Sequence, residues 1–205
     1  MAVASLTRMT VPLGSDQSAN AQGLLMPKLK YRFRVSLENF GVSTPRTELT
    51  KQVSDVTRPT LSFENIPIEV YNSKINLAGK HTWAPITLNV RDEVTNNVSR
   101  LVGEQLQKQF DFVEMASAAS GIDYKFQTKI EILDGGNGAS DPTVLETWEL
   151  YGCYLTEANY NDLNYASNEP VTIGLSIQYD NALQTPLGTG LGTSVQRNIG
   201  VNTTG

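Results

Sequence analysis

From Val171 to Tyr179 the chain alternates without a break: Val171, Ile173, Leu175, Ile177 and Tyr179 are set against Thr172, Gly174, Ser176 and Gln178. Only an extended strand turns such a series into one apolar and one polar face, because successive side chains point to opposite sides of a sheet. The pattern recurs. Tyr124, Phe126, Thr128, Ile130 and Ile132 alternate with Lys125, Gln127, Lys129 and Glu131, and Ile86, Leu88 and Val90 alternate with Thr87, Asn89 and Arg91. Leu29, Tyr31, Phe33, Val35 and Leu37 alternate with Lys28, Lys30, Arg32, Arg34 and Ser36. A Gly/Asn/Asp-rich turn, Asp134–Pro142, leads from the strand ending near Ile132 into Val144–Leu155, completing a hairpin. A chain so organised is mainly β, with half-buried antiparallel strands.

One segment follows a different period. Between Thr95 and Ala118, Val98, Leu101, Val102, Leu106, Phe110 and Val113 recur at spacings of three and four, and Gly121 follows as a stop signal. The expectation is a single helix near 95–118 packed on a sheet. Residues 48–80 alternate weakly and carry Pro59 and Pro67, with Pro45 just ahead. Proline is poorly tolerated in central strands, so this stretch is expected to project as an extended loop or edge hairpin. Ala78-Gly79 before Lys80 and His81 reads as its turn. The fold class is therefore an antiparallel β-sandwich or partly closed barrel of about six or seven strands with one flanking α-helix. Polar, Gly/Ser/Thr-rich ends frame it: an N-terminal arm over 1–27, the β domain over 28–181 and a C-terminal arm over 182–205.

Composition removes several function classes. A formal charge of −5 and a pI near 4.9 argue against a surface built to grip phosphates. The basic residues Lys28, Lys30, Arg32 and Arg34 fall on the face opposite Tyr31 and Phe33, so they do not form a basic groove with stacking aromatics. A single cysteine, Cys153, excludes an internal disulfide and a cysteine-rich zinc site. Cys153 also lies in a strand pattern, as a small core residue does, and His81 is the only histidine. No serine sits in a G-x-S-x-G elbow, and the runs Gly135–Gly138 and Gly188–Gly192 lack the ending of a phosphate loop. Glu146 and Glu149 form a carboxylate pair with nothing around them that places a substrate. No catalytic, cofactor or metal residues are expected. The first residues lack the apolar core of a secretory signal and no apolar run is long enough to span a membrane, so a soluble product made in the cytoplasm is expected.

Two stretches carry a resemblance. The first is Lys74-Ile75-Asn76-Leu77-Ala78-Gly79, then Lys80 and His81, Trp83, the strand Ile86–Val90, and Asp92 opening a helix. The second is Trp148–Leu155, then Asn161-Asp162-Leu163, Asn168-Glu169 and Val171–Tyr179. Together they resemble the signature of tail tube proteins of contractile-tailed bacteriophages, over roughly Leu29–Asp180. By themselves the residues of the first stretch also fit a hairpin of any β-rich domain. The resemblance implies a virion protein assembled in the host cytoplasm, whose hexameric rings stack into an inner tube. Its implied partners are its own copies, a sheath protein, a tape measure protein, and baseplate and tail-terminator proteins. DNA would pass through the lumen without specific binding, and no cofactor or membrane insertion is implied. A baseplate tube initiator, or a tube protein of a secretion system or tailocin, is the nearest alternative. A monomeric β-barrel that binds a ligand is a third.

The resemblance also directs attention to two sets of residues. In similar proteins the region equivalent to 48–80 reaches toward the neighbouring ring, which marks Arg58, Glu64, Asn65, Pro67 and Tyr71 as inter-ring candidates, with a tip around Glu64–Pro67; a simple surface loop is the alternative. From Ile130 to Asp180 there are nine acidic residues and no Lys or Arg. Such a segment suits either a channel wall that repels phosphates or ordinary acidic surface. Glu131, Thr147 and Glu149 alternate with apolar neighbours and are the channel-lining candidates.

Overall fold

The computed structural model describes residues 27–43, 47–135, 142–186 and 190–192. Most of the expected arms, 1–26 and 193–205, lie outside them. Residues up to Arg32 form a unit separate from 33–205. Its described part is a turn in which the Arg32 N–H donates to the Leu29 carbonyl at 3.2 Å. The first strand is therefore shorter than the alternation suggests: β1 is Phe33–Glu38, and Leu29 and Tyr31 precede it.

The remaining elements are α1 (Thr47–Gln52), β2 (Val53–Val56), β3 (Thr60–Val70), β4 (Ser73–Ala84), β5 (Ile86–Arg91), α2 (Asn97–Gln109), β6 (Phe110–Asp111), β7 (Ala116–Ser117), α3 (Gly121–Tyr124), β8 (Phe126–Leu133), β9 (Val144–Asn159), β10 (Thr172–Gln178) and β11 (Asn181–Pro186). Seven strands make one antiparallel sheet in the order β1-β8-β9-β10-β5-β2, with β11 also paired to β9. β9 is the axis. Its first half, Glu146–Tyr151, lies between β8 and β11, and its second half, Tyr154–Asn159, pairs with β10. Between the halves Gly152 adopts φ 67°, and a Cβ there would lie 2.1 Å from Asp180 Oδ2. Only glycine allows the strand to bend so close to Asp180.

The bend opposes the apolar faces of the two halves over one core. Val35, Leu37, Phe126, Ile130, Trp148 and Leu150 come from one half, and Ile86, Leu88, Val90, Leu155, Ile173, Leu175 and Ile177 from the other. Each fully buried aliphatic side chain contributes about 1.5–3 kcal/mol. The sheet does not close into a barrel, and α2 adds Val98, Leu101 and Val102 to the same core. The expected β-sandwich with a flanking helix is the observed fold, and Cys153 is a buried core residue as expected.

Several boundaries differ, each for a local reason. The helix ends at Gln109, not near 118, because the Asp111 carboxylate accepts from the Val113 and Glu114 N–H groups and turns the chain. Phe110 and Val113 thus leave the helical stripe. Gly121 starts a helix instead of ending one: Ser120 and Asp123 form a capping box for α3. Asp92 does not open α2, which begins at Asn97; its N–H donates to the Val171 carbonyl. Asn181–Pro186, most of it expected to belong to the C-terminal arm, pairs with β9 as β11. The stretch 48–80 contains most of α1, β2, β3 and part of β4, so of the two expected forms it takes the edge hairpin and not the extended loop.

Candidate assembly surfaces

β3 and β4 form a two-stranded hairpin that belongs to no larger sheet. The register pairs Ile66 with Leu77, Ile68 with Ile75 and Val70 with Ser73, placing five aliphatic side chains on one face. The other face is polar: Asn65 donates to Asn76 Oδ1 at 3.1 Å, and Lys74 pairs with Glu69 at 2.8 Å. Ile66, Ile68, Val70, Ile75 and Leu77 are each 43–50% exposed. An isolated hairpin is marginal in water, and a contiguous exposed apolar face on it marks an interaction surface.

The turn is at Tyr71 and Asn72, not at Ala78-Gly79. Between Phe63 and Asn65 the register slips: Gly79 and Lys80 together oppose Glu64, so the bulge lies in β4, and a Cβ on Gly79 would lie 3.1 Å from Ile66 Cδ1. Glycine at this bulge leaves room for the Ile66 side chain. Glu64 stands at the bulge, Asn65 and Pro67 on the polar face, so the segment Glu64–Pro67 is mid-strand and the tip is Tyr71. Tyr71 is fully exposed with φ 44°, a conformation that a bulky side chain seldom adopts. Pro67 is tolerated because both strands of the hairpin are edges.

Arg58 lies at the hairpin root, just before β3. Its Nη2 donates to Glu146 Oε1 at 2.7 Å. The same oxygen accepts from Trp148 Nε1 at 2.7 Å and from Gln184 Nε2 at 2.8 Å. Glu146 is buried, so its charge is held by these donors inside the sheet half formed by β1, β8, β9 and β11. On the other strand of the root, Trp83 is buried against Tyr179, ring centroids 5.7 Å apart. The hairpin is thus fixed at its base and free along its length.

The three channel-lining candidates meet on one face. Glu131 is paired across strands with Thr147, and Lys129 with Glu149, on the solvent side of the β1-β8-β9-β11 half. The charge there is not unopposed, as the sequence order suggested. Arg34 Nε donates to Glu131 at 2.6 Å, and Lys129 lies 3.7 Å from Glu131 and 3.8 Å from Glu149. Both cations come from outside the 130–180 segment, and Arg34 covers Glu131 enough to bury it. The Tyr151 hydroxyl donates to Glu149 at 2.6 Å, which raises its pKa above the usual phenol range. Glu146 and Glu149 point to opposite faces of β9, so they do not form a working pair.

Further polar contacts fix the helical side of the domain. Gln105, fully buried, accepts from the Gly41 N–H and donates to the Tyr124 carbonyl. Gln109 makes two 2.9 Å bonds to the Leu155 backbone, and Glu104 accepts from the Val42 and Ser43 N–H groups. Desolvation pushes the Glu104 carboxyl up, but the Ser43 hydroxyl, the Ser43 and Val42 N–H groups and the nearby Arg100 together hold it below its ordinary range. The apolar stripe of α2 gives no signal for Gln105 or Gln109, which are polar residues beside it.

Cys153 and His81 are not brought together as a pair. The Cys153 thiol donates to the Leu150 carbonyl, and burial pushes its pKa up to about 11; His81 stands exposed beside the rings of Phe63 and Trp83. Among the described residues no cluster of His, Cys, Asp and Glu is arranged to hold a metal, and no helix is long and apolar enough to cross a membrane.

No family model matches the chain, and no curated protein matches it in sequence. Solved structures do match in fold. The tube-terminating cap of the anti-feeding prophage is 16% identical, over 83% of this chain and 99% of that one, with a TM-score of 0.60. A chain of the sheath–tube complex of the extracellular contractile injection system PVC, in the extended state, is 15% identical, over 78% and 93%, with a TM-score of 0.56. The PVC sheath/tube terminator is 16% identical, over 80% and 99%, with a TM-score of 0.56. The chain has the fold of contractile-injection tube components, as the tail-tube resemblance implied. These similar structures are a tube-terminating cap, a chain of a sheath–tube complex and a sheath/tube terminator.

Proposed function

We propose that the chain is the tube subunit of a contractile-tailed bacteriophage. Six copies form a ring, and rings stack into an inner tube that carries DNA during ejection. A sheath surrounds the tube, a tape measure protein fills it before DNA enters, and baseplate and terminator proteins close its ends. The protein resides in the virion after assembly in the host cytoplasm. The observation that carries the reading is the β3–β4 hairpin: firmly rooted, amphipathic, and with its apolar face in water. A monomer has no use for such a face, and a β-barrel binding module would keep its apolar surface inside.

In this reading Glu131, Thr147 and Glu149 face the lumen. Arg34 and Lys129 on the same face reduce the repulsion of phosphates that the acidic segment alone would give, so the wall neither grips nor strongly rejects DNA. Arg58 acts at the hairpin root, while Glu64, Asn65, Pro67 and Tyr71 lie along the inter-ring arm. A second reading, a cap or terminator at the tube end, is favoured by the TM-score of 0.60 to the anti-feeding prophage cap. A tube initiator or a secretion-system tube protein would use the same hairpin.

Paired substitution of Ile68→Glu and Ile75→Glu tests the reading. These residues are directly opposed on the exposed face, so the domain should stay folded by circular dichroism while ring stacking, scored by electron microscopy, is lost. Stacking at wild-type yield by the doubly substituted protein would rule out the hairpin as the assembly element. A wild-type protein that adds once to the end of a preformed tube but never to itself would select the cap reading.

A further inference from the structure

The two sides of β9 are covered unequally. On one side β11 and β10 together follow it from Glu146 to Asn159. On the other, β8 pairs with it from Val144 to Cys153 and stops. Among the described residues no strand takes the side that Tyr154–Asn159 leaves open. Such an edge is a row of backbone donors and acceptors with which another extended chain can pair.

One side chain already occupies it. Gln109, the last residue of α2, donates from Nε2 to the Leu155 carbonyl at 2.9 Å and accepts the Leu155 N–H on Oε1 at 2.9 Å. A facing residue of an antiparallel strand would exchange the same two bonds with Leu155, so the amide stands where the peptide groups of a partner strand would be. Its helix is held firmly: Val98, Leu101 and Val102 lie in the core, and the Gln109 carbonyl accepts the Ala118 N–H at 3.3 Å. Two further features roughen the same edge. Leu155 pairs with Ile177 and Glu157 with Ser176, which leaves Thr156 as the extra residue of a bulge, its hydroxyl donating to the Ser176 carbonyl at 3.1 Å. Glu157 then presents an exposed charge. Bulges and charges on an edge strand disfavour pairing with a second chain. Beside them lies an open concavity of about 490 Å³ lined in part by Ser117, Tyr124 and Tyr154, the space that an added strand would enter.

We infer that Gln109 is an edge guard: its amide closes the open side of β9 against strand addition by a second copy of the chain. The guard is independent of the tube reading, since it concerns an association that the hairpin does not make. Its value is in selection. Backbone pairing at an edge uses groups that every residue carries, so an unguarded β9 would compete with any contact that side chains specify.

Hydrogen exchange of the full-length protein, read by mass spectrometry across a concentration series, tests the guard. Gln109→Ala removes both bonds and adds no large apolar group; Gln107→Ala makes the same change at a side chain that faces Asp111 and not β9. Gln109→Met keeps the length of the side chain without the amide, and carries the comparison if alanine unfolds the domain. In dilute Gln109→Ala the Leu155 amide should exchange about tenfold faster than in wild type. Raising the concentration should restore protection at 154–159, with dimers or larger species by sedimentation at concentrations several-fold below those needed by wild type or Gln107→Ala. Loss of protection that spreads along α2 and never returns with concentration would reduce Gln109 to a helix anchor and overturn the guard. Protection that appears on β3–β4 but not at 154–159 would overturn it too, while leaving the tube reading standing.

Discussion

Replacing Glu146 by alanine tests the physical account of how the hairpin is rooted. Glu146 Oε1 is the acceptor for Arg58, Trp148 and Gln184. Alanine leaves the buried Trp148 indole N–H without that acceptor, which costs about 1–3 kcal/mol, and the half-buried Gln184 amide adds about 1 kcal/mol. The Arg58 side chain is 57% exposed and regains water, so its loss adds little. The sum is about 3 kcal/mol, equivalent to a fall of roughly 6–12 °C in Tm for a chain of this size. Glu146→Gln keeps the shape and one acceptor and should cost about 1–2 kcal/mol; Arg58→Ala should cost about 1 kcal/mol. Urea unfolding with an unchanged m-value is the assay. A loss below about 1 kcal/mol for Glu146→Ala, or an equal loss for Arg58→Ala, would refute the claim that orphaned buried donors, and not the ion pair, dominate at this node.

Three further outcomes follow from local geometry. Gly152→Ala should cost about 3 kcal/mol or more, because positive φ and a 2.1 Å approach to Asp180 act together; a Tm within about 2 °C of wild type would contradict the bend at Gly152. The Cys153 pKa is raised to about 11, so its contribution to stability is complete below the unfolded-state value of about 8.5 and is lost as pH rises toward 11. Correspondingly, native protein at pH 8 should resist iodoacetamide that modifies it rapidly in urea, and rapid native alkylation would show Cys153 to be accessible. Glu131→Lys with Glu149→Lys leaves Arg34 and Lys129 unopposed, so DNA release from reconstituted particles should slow at low salt and recover as salt rises; unchanged release would remove this face from the channel.

The strands with one buried face were legible because alternation is the direct imprint of a half-buried sheet: β5, β8, the first part of β9 and β10 run where Ile86–Val90, Phe126–Ile132, Val144–Leu155 and Ile173–Ile177 alternate. Misreadings arose where local chemistry overrode pattern. Lys28–Arg32 continues the alternation of β1 yet turns, and the Asp111 carboxylate ends a helix that Ala116 and Ala118 would otherwise extend. Ile66, Ile68 and Val70 do alternate, but Pro67 and the bulge at Gly79 and Lys80 disguised a strand whose apolar face has no core to meet. Alternation alone puts Glu131, Thr147 and Glu149 on one side of the β8–β9 pair. Its partners were not, because Arg34 and Lys129 arrive from other parts of the chain. Nothing in the spacing announced that Glu146 would point inward and collect three donors.

The central claim, that this chain exists to stack on itself through the hairpin, is tested most directly by electron microscopy of the purified full-length protein across a concentration series. The account predicts rings that stack, with density from each hairpin crossing to the next ring. A protein that stays monomeric at every concentration, up to roughly millimolar, and adds to no tube-initiating complex would contradict it.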